Sequence, residues 1–162
     1  MKQFLVLLFV VVVAACSTLK PAEKAEQQAK MAQAVAQALA ERHYKVSVNM
    51  MFPRRGKPQN ISPDFSLEVK GDTLVSYLPY FGRAYSVPYG GGKGLNFTVP
   101  IAEYQTAKGR KGATLVSIKV KNEEDTYLYH LEIFDNGNTS IDLTAHERES
   151  ISYSGRMDSI DQ

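Results

Sequence analysis

The sequence predicts a mainly β protein, with a minor α contribution: one N-terminal helix, then an antiparallel meander of about seven or eight strands forming a barrel or a sandwich. Three observations predict it. Apolar and polar residues alternate with a period of two in segment after segment between Tyr44 and Tyr153. Turn residues such as Gly71-Asp72 and Asp135-Asn136-Gly137-Asn138 separate those segments, and Asn-Gly supplies the positive φ angles that a tight hairpin needs. No helix-period stretch lies between them, so no parallel βαβ crossover can form.

Taken in order, residues 1–15 have the layout of a secretory signal peptide. Lys2 supplies the positive charge and Phe4 to Val13 form an unbroken apolar run. That run is too short to cross a bilayer about 30 Å thick, which takes roughly 20 residues. Val13-Ala14-Ala15-Cys16 then resembles the bacterial lipobox. The resemblance implies that Cys16 receives a diacylglyceryl group, that the chain is cut before it, and that the new amino terminus is acylated. Cys16 is the single cysteine of the 162 residues, so a chain anchored in this way keeps no thiol for a disulfide, a nucleophile or a metal site. Cleavage removes only Lys2 from nineteen basic residues set against seventeen acidic ones. The mature chain is therefore close to neutral, and nothing in its charge favours nucleic acid as a partner.

Residues 16–21 read as a linker next to the lipid. Residues 22–43 are rich in Ala, Gln, Glu and Lys, without internal Gly or Pro, and predict a helix whose thin apolar stripe is Met31, Val35 and Leu39. Residues 44–157 form the β domain and 158–162 a short tail. In the first strand the alternation places Val46, Val48, Met50 and Phe52 on one face. It returns at Phe65, Leu67 and Val69, then through Ile118 and Val120, at Tyr127 to Ile133, at Ile141 and Leu143, and at Ile151 and Tyr153. Pro53 to Pro63, with three prolines and three basic residues, reads as an exposed loop, and Lys108 to Gly112 as a reversal.

Residues 77–97 differ from the rest, with Tyr77, Tyr80, Phe81, Tyr85, Tyr89 and Phe97 set among prolines and glycines. Two readings stand. The segment is a surface for a ligand or an envelope protein, with Arg83 available to a carboxylate or phosphate. Alternatively its aromatics cap the open end of a sheet that bends at Gly82 and at Gly90 to Gly92. A phosphate loop is excluded, because no Ser or Thr follows Lys93 and a strand, not a helix, comes next.

Leu78-Pro79-Tyr80-Phe81-Gly82, then Tyr89-Gly90-Gly91, Gly94-Leu95 with Phe97, and Arg148 to Gly155 (RESISYSG) together resemble the Bacteroidetes envelope lipoproteins grouped as domain of unknown function 4251. The resemblance covers about residues 30–157. It implies an exported, mostly β domain behind a lipoprotein signal, and it carries no assigned activity. Asp72-Thr73-Leu74 and Asp158-Ser159-Ile160 also look like the O-glycosylation sites of Bacteroidetes exported proteins, which makes Thr73 and Ser159 candidate modification sites.

Catalytic chemistry is hard to find. His43, His130 and His146 have no partners at metal-ligand spacing, no G-x-S-x-G is present, and no cofactor motif occurs. Glu123-Glu124-Asp125 reads as a solvated turn. The expectation is a lipid-anchored, non-catalytic binding protein of the cell envelope, in the outer membrane and facing the periplasm. A structural or assembly lipoprotein is one alternative. An enzyme of unrecognised type is another, and it would need a deep pocket lined by at least two of Arg83, His130, Glu132 and Asp142.

Overall fold

The computed structural model describes residues 21–62, 64–85 and 94–158. Helix α1, Pro21–Glu41, starts on a proline, whose fixed φ suits a first turn, and continues through strong helix formers. Arg42 ends it by adopting a left-handed backbone (φ 50°), and its carbonyl accepts the Gly71 N–H at 2.8 Å. His43, which the sequence placed at a helix end, is thus the first residue of β1. Among the described residues no helix is long and apolar enough to cross a membrane.

Among the described residues nine strands follow: β1 His43–Pro53, β2 Gln59–Asn60, β3 Ser66–Lys70, β4 Thr73–Leu78, β5 Leu95–Lys108, β6 Thr114–Lys121, β7 Thr126–Ile133, β8 Asn138–Ala145 and β9 Ile151–Asp158. Apart from β2, consecutive strands pair antiparallel. The ring then closes because β1 also pairs antiparallel with β9, from Lys45 opposite Asp158 to Pro53 opposite Ile151. The fold is an eight-stranded antiparallel barrel, with β2 a two-residue addition to β1 at Met50 and Met51. Closure pairs the first and last long strands, which would otherwise be open edges able to template aggregation. The long strands β1 and β5 form the corners, each serving different neighbours along its length. The β5 pairing shifts at Ile101 to Glu103, just after Pro100, where a missing N–H is tolerated.

The β1 pattern departs from simple alternation. Val46 and Val48 point inward as expected, but the register against β9 shifts between Val48 and Met50. This bulge turns Met51 into the core and leaves Phe52 more than a third exposed, reversing the expected face for Met50 and Phe52. Opposite the bulge sits Gly155, where any Cβ would collide with the Ser47 carbonyl and the Val48 backbone. The seam therefore needs glycine for close approach of two backbones.

Side chains fill the interior, as expected for a barrel of eight strands. Val46, Leu67, Leu74, Ile118, Tyr129 and Ile141 are among many residues with essentially no accessible surface. Several buried tyrosine hydroxyls find partners, although that of Tyr127 has none among the described residues. Tyr44 bonds Tyr104 at 3.1 Å, while Tyr129 donates at 3.1 Å to Ser76, whose own hydroxyl donates at 2.7 Å to the Leu95 carbonyl. Burial pushes the phenols of Tyr44, Tyr129 and Tyr153 far above their ordinary range.

Candidate interaction surface at the loop end of the barrel

In an up-and-down meander every second connection lies at the same end. The 54–65, 79–94, 122–125 and 146–150 connections therefore share one end, the loop end. The α1–β1 junction and the turns at 71–72, 109–113 and 134–137 share the other, the turn end.

At the loop end, the run expected to be a solvated acidic turn is instead the frame of the site. Asn122 Oδ1 accepts the N–H groups of Glu124 and Asp125 at 2.9 and 2.8 Å, which folds the turn back on itself. Asp125, nearly fully buried, accepts the N–H groups of Thr126 (2.7 Å), His146 and Glu147 (3.0 Å each), tying the 122–125 turn to the 146–150 connection. The carboxylate is buried because backbone donors that have no strand partner need an acceptor there. Arg148, with 8 % of its surface accessible, donates from Nη2 to Glu124 Oε2 at 2.7 Å. Its guanidinium carbon lies 5.7 Å from the ring centres of both Tyr80 and Tyr127.

The aromatic segment is latched onto this frame. The Tyr80 hydroxyl donates toward the Arg83 and Glu149 carbonyls, 2.9 and 3.1 Å away, and burial raises its pKa. Glu149 Oε2 accepts the Arg83 N–H at 3.3 Å, Glu149 Oε1 lies 3.4 Å from Arg55 Nε, and the Glu149 N–H donates to the Arg83 carbonyl at 3.0 Å. Ala84 bridges to Arg148, the Tyr85 N–H reaches the Glu147 carbonyl at 2.7 Å, and Tyr153 donates to the Pro79 carbonyl at 2.7 Å. Gly82 is close enough to the Tyr80 hydroxyl that a Cβ would clash. Residues 79–85 and 147–153 are thus brought together as the two halves of one lock.

The predicted surface residues divide accordingly. Tyr80 belongs to the lock. Arg83 contributes its backbone there and leaves its side chain exposed. Tyr77, stacked on Phe65 at 5.1 Å, is about half exposed, and Phe81 and Tyr85 more so, at 55 % and 67 %. Tyr89 lies outside the described residues, as do Cys16 and Ser159. Thr73 is the half-buried first residue of β4. The sequence reading missed Arg148, Glu149 and Phe52, and it misjudged Asp125.

The other candidates sit on the outer wall of the barrel. His130, Glu132 and Asp142 line an open hollow of about 420 Å³ with Ser117 and Leu115, far from Arg83 at the loop end. His130 and Asp142 are register partners on β7 and β8, and Asp142 Oδ1 accepts a 2.6 Å hydrogen bond from Ser152. No group of three or more metal-ligating side chains occurs among the described residues.

Fold and site define a small, closed, side-chain-filled antiparallel barrel with a helix at one end and a cross-bonded loop cluster at the other. The chain belongs to the DUF4251 family, a domain of unknown function whose family model matches residues 26–157. It is similar to the crystal structure of a DUF4251 family protein from Bacteroides eggerthii DSM 20697, with 15 % identity and a TM-score of 0.59 over 80 % of this chain and 90 % of that one. No curated protein matches the sequence.

Proposed function

We propose that the protein is a lipid-anchored envelope component whose barrel is a rigid, non-catalytic platform presenting its loop end to a protein partner. The observation that carries the reading is a contrast in burial. The described interior is packed with fully buried side chains, whereas Phe52, Tyr77, Phe81 and Tyr85 expose large aromatic surface at one end. Aromatic side chains on a rigid frame lose little entropy on binding and are the usual anchors of protein interfaces. Arg54, Lys57 and Arg83 surround them with exposed positive charge, which favours a partner with an acidic rim.

The anchor fits this orientation. Cys16 lies five residues before α1, and α1 leads into β1 at the turn end. Acylation there would set the turn end toward the outer membrane and aim the loop end into the periplasm. The test is site-specific photo-crosslinking in native cells, in which labelled palmitate incorporated by the wild type and not by Cys16→Ala verifies the anchor. A photoreactive residue at Phe81 or Tyr85 is expected to give a discrete adduct that the same residue at Leu115, on the outer wall, does not. Equal labelling at all three positions, or none at the loop end, would refute the platform.

A further inference from the structure

The turn end carries a second feature, independent of the loop-end reading. The stripe of α1 that faces the barrel changes character along its length. Val35 and Leu39, four residues apart, are buried in the core, but one to three turns earlier the same face carries Lys24, Gln27, Gln28, Met31 and Ala32. The apolar half docks. The polar half stands off from the turns beneath it and leaves an open cleft of about 890 Å³, within the usual range for a small-molecule site.

The far wall comes from three separate elements: Lys111 in the turn between β5 and β6, Phe134 to Asn136 in the turn between β7 and β8, and Arg156 on β9. Met31, Ala32 and Phe134 form the apolar part, and Lys24, Lys111 and Arg156 supply three cations against the single carboxylate of Asp135. None of these cations has a carboxylate within ion-pair distance among the described residues. Lys111 is also held in a left-handed backbone (φ 54°, ψ 34°), although glycines stand close by at 109 and 112. A non-glycine residue there costs about 1–2 kcal/mol, and such cost gathers where a side chain is wanted.

We infer that this cleft binds an amphipathic anion, a phosphate or carboxylate headgroup on an alkyl chain. The headgroup lies between Lys111, Arg156 and Lys24, and the chain lies along Met31, Ala32 and Phe134. Three uncommitted cations beside apolar wall are complementary to that ligand and to neither half of it alone.

Calorimetric titration of the full chain with dodecyl phosphate below its micelle concentration tests this, with inorganic phosphate and neutral dodecyl maltoside as controls. Saturable one-to-one binding is expected, at least tenfold weaker for both controls. The double variant Lys111→Gln/Arg156→Gln should lose at least tenfold in affinity while keeping its circular dichroism spectrum, and Met31→Asn, which adds no charge, should weaken dodecyl phosphate but not inorganic phosphate. Absent saturation, unchanged affinity in the double variant, or equal binding of either control would overturn the assignment.

Discussion

The two ends of the barrel solve the same problem by different means. At the turn end the connections are short and close mainly through backbone: Gly109 N–H to the Ala113 carbonyl at 2.8 Å, Phe134 N–H to the Asn138 carbonyl at 2.9 Å, and Gly71 N–H to the Arg42 carbonyl at 2.8 Å, with Asn136 Oδ1 accepting the Asn138 N–H at 3.0 Å and Arg42 pairing with Asp72 at 3.3 Å. At the loop end two of the four connections are longer, and backbone donors there reach side-chain acceptors on Asn122, Asp125 and Glu149. Side chains consumed in this way are unavailable for anything else. At the turn end Lys24, Lys111 and Arg156 have no carboxylate partner among the described residues, although Arg42 pairs with Asp72 at 3.3 Å, while at the loop end the exposed contact surface is mostly aromatic.

The largest consequence falls on Arg148. Replacing it by alanine removes the 2.7 Å ion pair to part-buried Glu124 and the cation 3.9 Å from the buried Asp125 carboxylate, which costs about 3–5 kcal/mol. A melting temperature lower by about 10 °C or more is expected for Arg148→Ala. Arg110→Ala removes the same charge at the turn end, where the side chain is exposed, and should stay within about 0.5 kcal/mol of the wild type. Similar losses in the two variants, read by thermal unfolding, would erase the distinction between the ends.

High pH tests whether the ends open separately. Tyr44 stands near the turn end, Tyr129 in mid-barrel, and Tyr153 reaches the loop end through Pro79. Burial raises all three phenols, so the folded state holds their protons after the unfolded chain, with a tyrosine pKa of about 10, has released them. Their neutral form thus contributes stability in full below pH about 10. It is lost above that, by about 1.4 kcal/mol per group for each pH unit. One cooperative step in phenolate absorbance, coincident with loss of near-ultraviolet dichroism, is expected. An earlier partial step that disappears in Tyr44→Phe would mean that the turn end opens alone.

How much of this the sequence made legible depends on whether the information was local. The barrel strands and their turns are local, and alternation with Asn-Gly and Gly-Asp turns reveals them. The second half of β5, from Ala102 to Lys108, has mostly exposed side chains and so shows no alternation. The faces of Met50 and Phe52 depend on a bulge created by pairing with β9, a partner a hundred residues away. Tyr80 and Phe81 are adjacent and chemically alike, yet one is locked and the other exposed, because an irregular segment has no period to assign faces. Asp125 was misread for a different reason. Its turn is polar, but the meander places it beside residues 146–150, whose N–H groups require an acceptor. Counting which turns share an end would have put Arg148 opposite the acidic run.

The smallest predicted effect separates the ends most cleanly, because stability and binding should move in opposite directions. Lys111 adopts a left-handed backbone that glycine occupies without strain, so Lys111→Gly is expected to raise stability by about 0.5–1 kcal/mol, measured by denaturant unfolding. The gain is smaller than the strain relieved, since glycine also loses more conformational freedom on folding. No comparable gain is available at the loop end, since the two non-glycine residues with positive φ among the described residues, Arg42 and Lys111, both lie at the turn end. A chain that keeps lysine at a strained position where glycine would fold better is retaining its charge for some other use. If Lys111→Gly proves less stable than the wild type, the lysine is there for folding, and the turn end is built on the same terms as the loop end.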